Sequence, residues 1–341
     1  MNISKYHIDL ESLINTIKKN KYRVIGVQVP EGLKHSADKI IDYIENNTNC
    51  RCILLADPCY GACDIPSRNI RDIGINCLVH VGHLGINSLK NHSDIHLFFI
   101  DAHYTGDVKK VVKKALSLLE GKHIGVLTTA QHIKNLDTAK EILLRNGLEP
   151  VVSDSGSRVK EPGCILGCDL SAALNIKDRI DSYLFIGSGF FHPVGLSLCT
   201  DKIIVAADPY TNTINKDEII RIRDRILKQR YNAILKAKDA KTFAIIIGLK
   251  PGQQRIKLAN KIKDILHSKN KRSYTLALDV FTPNSLLAFT SIDCFISTAC
   301  PRIAIDDYHA YKKPMITPVE LEIALGLRSW DDYCFDQITE C

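Results

Sequence analysis

The sequence predicts an α/β fold of three similar Rossmann-like domains, each a small parallel sheet flanked by helices, arranged around a central site. Continuous apolar runs of the length of buried parallel strands are each followed by a helix with one apolar face. This pattern occurs three times. The starting strands lie about 100 and about 119 residues apart, which is the spacing of domains rather than of a solenoid repeat. We therefore expect domains at residues 1–118, 119–240 and 241–341.

Within each predicted domain, a first strand and its covering helix are followed by a second and a third strand. Before them, Leu10, Leu13, Ile14 and Ile17 predict an amphipathic helix that leads into the first core strand. The first strands are expected at 23–30, 123–128 and 242–248, with helices at 36–47, 135–146 and 255–268. The second strands are expected at 52–56, 149–153 and 274–278, and the third strands at 77–81, 183–186 and 294–297.

A long basic helix is predicted over 216–238, between the second and third domains. Its cations are Arg221, Arg223, Arg225, Lys228 and Arg230. Cations spread along a linking helix favour a solvated face over a binding site.

The composition is that of an ordinary globular protein, because 45% of the 341 residues are hydrophobic and 24% are charged. No segment reaches the roughly 20 apolar residues that span a bilayer, and the first residues lack the apolar core of a signal peptide. We therefore expect a cytoplasmic protein without a membrane partner. The formal net charge is +7, but no nucleic-acid-binding module accompanies it, so direct nucleic-acid binding is not expected.

Twelve cysteines are many for a cytosolic chain, where a reducing environment disfavours disulfides. Such a number suggests metal ligation, redox chemistry or core filling. Two CxxxC pairs, Cys59 with Cys63 and Cys164 with Cys168, lie in glycine-containing turns, but one such pair fits no closed tetrahedral zinc site. Taken alone, each cysteine is explained as a buried, inert side chain.

Comparison of the three predicted domains suggests a shared role for three cysteines, Cys63, Cys168 and Cys300. Cys63 and Cys168 follow the second strand of their domains, whereas Cys300 follows the third. Loops beyond the carboxyl ends of parallel strands carry ligand chemistry, so each domain can offer one thiolate to a central point. Soft thiolates favour iron-sulfur clusters, zinc or copper(I), and three ligands leave one metal position open. A single-loop CxxxCxxC motif is excluded because Pro66 stands where its third cysteine would be.

Two other loops and several histidines are weaker candidates. Gly187-Ser188-Gly189 follows a strand, but His192 replaces the third glycine of a dinucleotide-binding turn, which argues against NAD or FAD. The loop 248–254 ends a strand and opens a helix, so its amides and Lys250 could hold an anion, although a simple helix start explains it equally well. The scattered histidines are each typical of structural side chains: His83, His92, His103 and His192.

Four segments resemble those of a known family. They are Tyr60-Gly61-Ala62-Cys63, Leu166-Gly167-Cys168-Asp169 with Ala172, Gly187-Ser188-Gly189-Phe190-Phe191-His192-Pro193, and Ser297-Thr298-Ala299-Cys300-Pro301-Arg302 with Asp306. In this order, over nearly the whole chain, they resemble the archaeal diphthamide-biosynthesis enzymes, which are 3-amino-3-carboxypropyl transferases. The resemblance implies three similar α/β domains, a homodimer, and a 4Fe-4S cluster held by Cys63, Cys168 and Cys300. Cys59 and Cys164 would then not be ligands.

The resemblance also implies an activity. S-adenosylmethionine would bind the open iron, and an external electron donor would reduce the cluster. Cleavage of the bond between sulfur and the γ-carbon would release methylthioadenosine and a 3-amino-3-carboxypropyl radical, which adds to C2 of a histidine of translation elongation factor 2. The loops of five further residues are expected to border the substrate: Gly187, Ser188, His192, Lys250 and Gln253.

Two hypotheses from other classes remain open at this point. A structural metal site, holding zinc or an inert cluster, could tie the three domains together in a non-catalytic scaffold. Alternatively, Cys59 and Cys63 could form the dithiol of a redox enzyme, in which case Cys300 would be dispensable.

Overall fold

The computed structural model of the chain describes residues 1–66, 70–86, 89 and 95–339. His92 lies outside these ranges. Among the helices in them, none combines the length and the apolar composition needed to cross a membrane.

The first parallel sheet is built from the N-terminal part of the chain. The elements are β1 (Asn2–Ile3), β2 (Tyr6–Ile8), α1 (Glu11–Asn20), β3 (Val24–Gln28), α2 (Ala37–Asn47), β4 (Arg51–Leu54), β5 (Cys77–Val81), β6 (His96–Ile100) and β7 (Ala102–Tyr104). Four strands are parallel in the order β4-β3-β5-β6, so that Ile25 pairs with Cys52 on one side and Cys77 on the other. β1, β2 and β7 form a separate antiparallel sheet.

The second sheet follows. The elements are α3 (Lys109–Ala115), β8 (His123–Thr128), α4 (Leu136–Arg145), β9 (Glu149–Val151), α5 (Ser171–Leu174), β10 (Ser182–Ile186), α6 (Phe191–Ser197), β11 (Ile203–Asp208), β12 (Thr213–Asn215) and α7 (Asp217–Lys238). β9-β8-β10-β11 are parallel in that order, and β12 adds an antiparallel edge. The structure does not test the three predicted domain ranges. However, α3 belongs to the predicted first range, and its Val111 and Val112 pack in the same hydrophobic core as Val126 and Ile186 of the second sheet.

The third sheet contains the last strands of the chain. The elements are β13 (Thr242–Gly248), α8 (Ile256–Ser268), β14 (Arg272–Leu278), α9 (Pro283–Leu287), β15 (Cys294–Ser297), α10 (Arg302–Asp306), β16 (Met315–Ile316) and α11 (Pro318–Ala324). The four strands are parallel in the order β14-β13-β15-β16. Pro301 directly precedes the first residue of α10. At the start of a helix the missing N–H of proline costs little.

All three parallel sheets share one strand order, in which the second strand, the first, the third and a fourth lie side by side. The predicted α/β fold with parallel sheets flanked by helices is therefore confirmed. The prediction did not include the fourth strands, β6, β11 and β16, or the antiparallel strands. β16 has two residues and β1, β2 and β7 have two or three, which is too short for an alternating pattern to be visible.

The predicted linking helix, α7, joins two hydrophobic cores. Ile219 and Ile226 pack in the core of the second sheet, while Ala233 and Ala237 pack in that of the third. Arg230, between them, is fully buried and donates from Nε and Nη2 to the carboxylate of Glu320, at 2.7 and 2.6 Å. The interpretation of a solvated basic face is wrong for Arg230, although it fits the exposed Arg221, Arg225 and Lys228.

An aromatic cluster joins the antiparallel sheet to the second parallel sheet. The hydroxyls of Tyr6 and Tyr210 lie 2.6 Å apart, and the Tyr210 hydroxyl lies 3.3 Å from Nε2 of His132. The Tyr104 ring packs against both Tyr210 and His132, and its hydroxyl donates to the carbonyl of Pro209 at 3.2 Å. Burial lowers the pKa of His132 to about 4, against a weaker opposing effect of Asp208.

The buried His132 predicts a loss of stability in mild acid. Its ordinary pKa is 6.5 and its folded pKa about 4, so at pH 5 the unfolded chain binds a proton that the folded chain does not. Between pH 7 and pH 5 this single group should lower the free energy of unfolding by about 2 kcal/mol. Urea unfolding at both pH values should show that His132→Gln removes about this much of the pH dependence, whereas the exposed His267→Gln leaves it intact. An unchanged pH dependence in His132→Gln would contradict the assignment.

Candidate metal centre

Cys63 lies in a loop after β4 that is held by buried polar contacts. The Asp64 side chain is 1% exposed, accepts the Tyr60 N–H at 3.0 Å and forms an ion pair with Lys250 of the third sheet's first loop. Nε2 of Gln28, at the end of β3, donates to the carbonyl of Asp64 at 2.8 Å. These contacts tie the loop of the half-buried Cys63 to the first sheet and to the loop after β13.

Gly252, in the loop after β13, packs directly on the backbone of Cys63. A β-carbon built on Gly252 would lie 2.5 Å from both Cα and Cβ of Cys63, so only glycine permits this approach. The neighbouring Gln253 donates from Nε2 to Sγ of Cys63 at 3.5 Å. The loop after β13 therefore helps to determine where the Cys63 sulfur lies.

Gly252→Ala is expected to displace Cys63. Backbone atoms must move to admit the extra methyl group, and a shift of about 1 Å at a site can cost about 100-fold in function. Anaerobic reconstitution with iron and sulfide should give a several-fold lower iron content per chain than in the parent. Gly32→Ala is the matched control, because no atom lies within 4 Å of a β-carbon there. Equal iron in both variants would show that the approach of Gly252 does not position Cys63.

Cys168 lies between β9 and α5, and Arg158 links it to the loop of Gly252. The Arg158 side chain is buried and donates from Nη1 to Sγ of Cys168 at 3.1 Å and from Nη2 to the carbonyl of Gly252 at 2.6 Å. Its backbone N–H donates to Asp169 Oδ2 at 2.7 Å. One guanidinium thus connects Cys168 to the glycine that packs on Cys63.

A C-terminal segment supports both Cys168 and the turn that carries Cys300. The Ile338 N–H donates to the carbonyl of Cys168 at 2.8 Å. Asp336 forms a buried ion pair with Arg255, with Nη2 and Oδ2 2.6 Å apart. Arg255 in turn donates to the carbonyls of Thr298 and Ala299 at 2.6 and 3.0 Å, so the backbone just before Cys300 is held in place.

Cys300 is followed by α10, whose first residue, Arg302, packs on α6 of the second sheet. Its guanidinium carbon lies 3.9 Å from the centroid of the Phe191 ring, at the start of α6. Nε and Nη2 donate to the Asp306 carboxylate at 2.7 Å each.

The three sulfurs share one electrostatic environment. Burial raises the pKa of Cys168 to about 12, while the positive charge of Arg158 lowers it and the nearby Cys63 raises it. The pKa of Cys300 is also raised by burial, and further by Cys168 and Cys63. Burial raises the pKa of Cys63, with Arg158 again opposing. The thiols are therefore protonated at neutral pH, and a bound metal would have to stabilise the thiolates.

The residues at this point fit an iron-sulfur cluster. Three soft sulfur donors come from three loops, and a guanidinium beside one sulfur would offset the negative charge of the thiolates. Cys63 and Cys300 are half-buried, so the site is reachable from solvent on their side. Cys164, the partner of Cys168 in its CxxxC pair, packs instead in a hydrophobic cluster with Ala62 and Val159.

The five predicted substrate-binding residues lie in three places: two beside the Cys63 loop, one near α10 and two against β11. Gln253 contacts Cys63 directly, and Lys250 is paired with Asp64 next to it. Burial lowers the pKa of His192 to about 3, helped by the charges of Arg302 and His83, which places this ring beside the Cys300 helix. The other two residues are hydrogen-bonded to β11. The Gly187 N–H donates to the Ala207 carbonyl at 3.1 Å, and the Ser188 hydroxyl donates to the Asp208 carboxylate at 3.0 Å.

The sequence reasoning missed Arg158 and Arg255. Arg158 is a single cation in the polar turn Ser155-Gly156-Ser157-Arg158, and Arg255 is one of many cations around α8. What distinguishes them is burial, since both are at most 9% exposed. A buried arginine needs several partners, but no local pattern reports which arginine is buried.

Comparison with known proteins agrees with the resemblance described above. The family of diphthamide synthesis proteins matches residues 29–334. The chain is 34% identical to the 2-(3-amino-3-carboxypropyl)histidine synthase of Pyrococcus horikoshii, covering 98% of this chain and 94% of that protein. It is 28% identical to the enzyme of the same name from Methanocaldococcus jannaschii, again over 98% of this chain and 94% of the relative.

A solved structure extends the likeness to three dimensions. The crystal structure of Dph2 from Pyrococcus horikoshii with a 4Fe-4S cluster matches with a TM-score of 0.87 at 34% identity, covering 98% of this chain and 94% of that one. The agreement extends over nearly the full length of both chains. The expected family is thereby confirmed, and the chain belongs to the diphthamide synthesis family.

Proposed function

We propose that the chain transfers the 3-amino-3-carboxypropyl group of S-adenosylmethionine to C2 of a histidine of translation elongation factor 2. The observation that carries this proposal is the mutual electrostatic influence of the Cys63, Cys168 and Cys300 sulfurs, which come from loops of three different sheets. The names of the relatives support the formation of a 2-(3-amino-3-carboxypropyl)histidine. The non-catalytic scaffold and the dithiol enzyme would not need three sulfurs with one metal position left open.

In this proposal Cys63, Cys168 and Cys300 hold a 4Fe-4S cluster. When bound, the cluster would supply the electron that splits the sulfur to γ-carbon bond of S-adenosylmethionine and yields methylthioadenosine and the 3-amino-3-carboxypropyl radical. The chain itself provides position and charge. Arg158 favours the thiolate of Cys168, and the Lys250–Asp64 ion pair holds the Cys63 loop.

The residues around the sulfurs suit a positively charged sulfonium substrate. Lys250 is neutralised by Asp64, Arg302 is paired with Asp306, and His192 stays uncharged at neutral pH because of its lowered pKa. These three side chains therefore add little unpaired positive charge that would repel the sulfonium, and the Cys168 thiolate would offset the charge of Arg158. We assign Gln253 and His192 to the border of the substrate, with Gly187 and Ser188 forming the adjoining loop.

The proposal is tested with anaerobically purified chain. Iron and sulfide should be present, and reduction with dithionite in the presence of S-adenosylmethionine should form methylthioadenosine. With elongation factor 2 added, one of its histidines should gain the mass of the 3-amino-3-carboxypropyl group. A chain that binds zinc at the three cysteines and forms no methylthioadenosine would instead support the scaffold hypothesis. An electron donor protein and a second copy of the chain are proposed as further partners.

A further inference from the structure

A second group of metal-binding side chains lies outside the three-cysteine site. It consists of Sγ of Cys59, Nε2 of His80 and Nδ1 of His83, and these ligand atoms all lie within 4.8 Å of one another. Cys59 comes from the loop after β4, His80 from β5 and His83 from the turn that follows β5. Cys59 and His80 are buried, at 2% and 0% exposed.

Hydrogen bonds of Gln28 determine which ring nitrogen of His80 is free to bind a metal ion. Gln28 donates from Nε2 to the carbonyl of Asp64, so its Oε1 points the other way, at Nδ1 of His80, 2.9 Å distant. An amide oxygen only accepts, and Nδ1 of His80 must therefore carry the proton. Nε2 of His80 is left with its lone pair, directed at Cys59 and His83. Fixing the second nitrogen of a ligating histidine in this way is a regular feature of protein zinc sites.

The distances suit a tetrahedral metal ion. Zinc bonds of about 2.0–2.1 Å to nitrogen and about 2.3 Å to sulfur separate two nitrogen ligands by about 3.3 Å and a nitrogen from a sulfur by about 3.6 Å. Nε2 of His80 lies 2.9 Å from Nδ1 of His83 and 3.9 Å from Sγ of Cys59. Both separations differ from the tetrahedral values by only a few tenths of an ångström. Small side-chain rotations would bring the three atoms to the tetrahedral distances.

We propose that Cys59, His80 and His83 bind a zinc ion, with water in the fourth position. On binding, Cys59 releases its thiol proton to solvent, and His83 carries its proton on Nε2 so that Nδ1 binds the metal. No electron is transferred. The ion would connect the loop that carries Cys63 to the turn after β5, which gives Cys59 a role separate from that of the cluster cysteines.

The test is a crossed measurement of zinc and iron in the full-length chain. Elemental analysis is made on the parent and on Cys59→Ser, His83→Ala and Cys300→Ser, after anaerobic reconstitution with iron and sulfide and dialysis against a fixed free zinc concentration. Cys59→Ser and His83→Ala should weaken zinc binding at least tenfold, because loss of even a supporting partner typically costs about 10–100-fold. Cys300→Ser should lose iron and keep zinc.

Cys164→Ser is the matched control, since Cys164 is also a buried first member of a CxxxC pair but packs among apolar side chains. It should retain both metals. His83 is only half-buried, so His83→Ala should fold even where Cys59→Ser does not, and circular dichroism checks this. The proposal is overturned if the parent binds no zinc, if folded His83→Ala binds it as tightly as the parent, or if Cys300→Ser is the variant that loses zinc. Methylthioadenosine formation is a separate readout, so failure here leaves the proposed transferase untouched.

Discussion

Cys300→Ser is expected to lower both bound iron and methylthioadenosine formation at least about 100-fold. Removing a direct ligand should exceed the cost of about 10–100-fold that follows from losing a residue that only supports one. The effect should be as large as in Cys63→Ser and Cys168→Ser, although Cys300 lies after a third strand and the other two after second strands. Iron is measured after anaerobic reconstitution, and methylthioadenosine by chromatography after reduction.

The comparison within one CxxxC pair makes this result specific. Cys164 and Cys168 are both buried, and burial raises the pKa of each to about 12. Only Cys168 accepts a hydrogen bond from Arg158. Cys164→Ser should therefore keep the iron and activity that Cys168→Ser loses. If the two variants behave alike, the assignment of Cys168 as the ligand is wrong.

Arg230→Ala is expected to destabilise the fold by about 3–5 kcal/mol, the usual cost of removing one partner from a buried ion pair. The carboxylate of Glu320, whose side chain is 0% exposed, would be left buried without its cation. The single tryptophan, Trp330, packs on Tyr231 of α7 and on Tyr333, so its fluorescence reports unfolding at this junction. Urea unfolding followed by this signal measures the loss.

Two further variants separate the ion pair from a general effect of changing α7. Arg221→Ala, on the exposed face of the same helix, should leave the unfolding midpoint almost unchanged. The double variant Arg230→Met with Glu320→Leu should recover much of the lost stability, because replacing both charges by apolar groups removes the desolvation cost. Equal midpoints for Arg230→Ala and Arg221→Ala would show that the buried pair contributes little.

Of the six predicted first and third strands, four match the structure at both ends, whereas β10 begins one residue earlier than predicted and β3 covers 24–28 rather than 23–30. The predicted strands 123–128, 242–248, 77–81 and 294–297 coincide with β8, β13, β5 and β15. These central strands are covered on both faces, so their sequences are continuously apolar. Second strands lie at sheet edges, and there the ends shift by up to two residues, as in β9, which stops at Val151 rather than 153.

For the site, sequence position indicated where the sulfurs would lie but not what surrounds them. Cys63 and Cys300 each follow the carboxyl end of a parallel strand, where ligand chemistry is expected, but the two strands belong to different sheets. The pairing of Lys250 with Asp64 and of Arg158 with Gly252 joins residues far apart in the chain. Such contacts depend on how the domains dock, and a local pattern carries no information about docking.

The hydrogen bond from Ile338 to Cys168 has a consequence for the order of events during synthesis. Domains of a growing chain fold as units, the N-terminal one first. The segment that supports Cys168 and the turn before Cys300, residues 336–338, leaves the ribosome after every sheet strand. The contacts that support Cys168 and the turn before Cys300 would thus form only after all three sheets have been synthesised, and a protease that cuts just before residue 336 would remove them from a protein whose three sheets are otherwise intact.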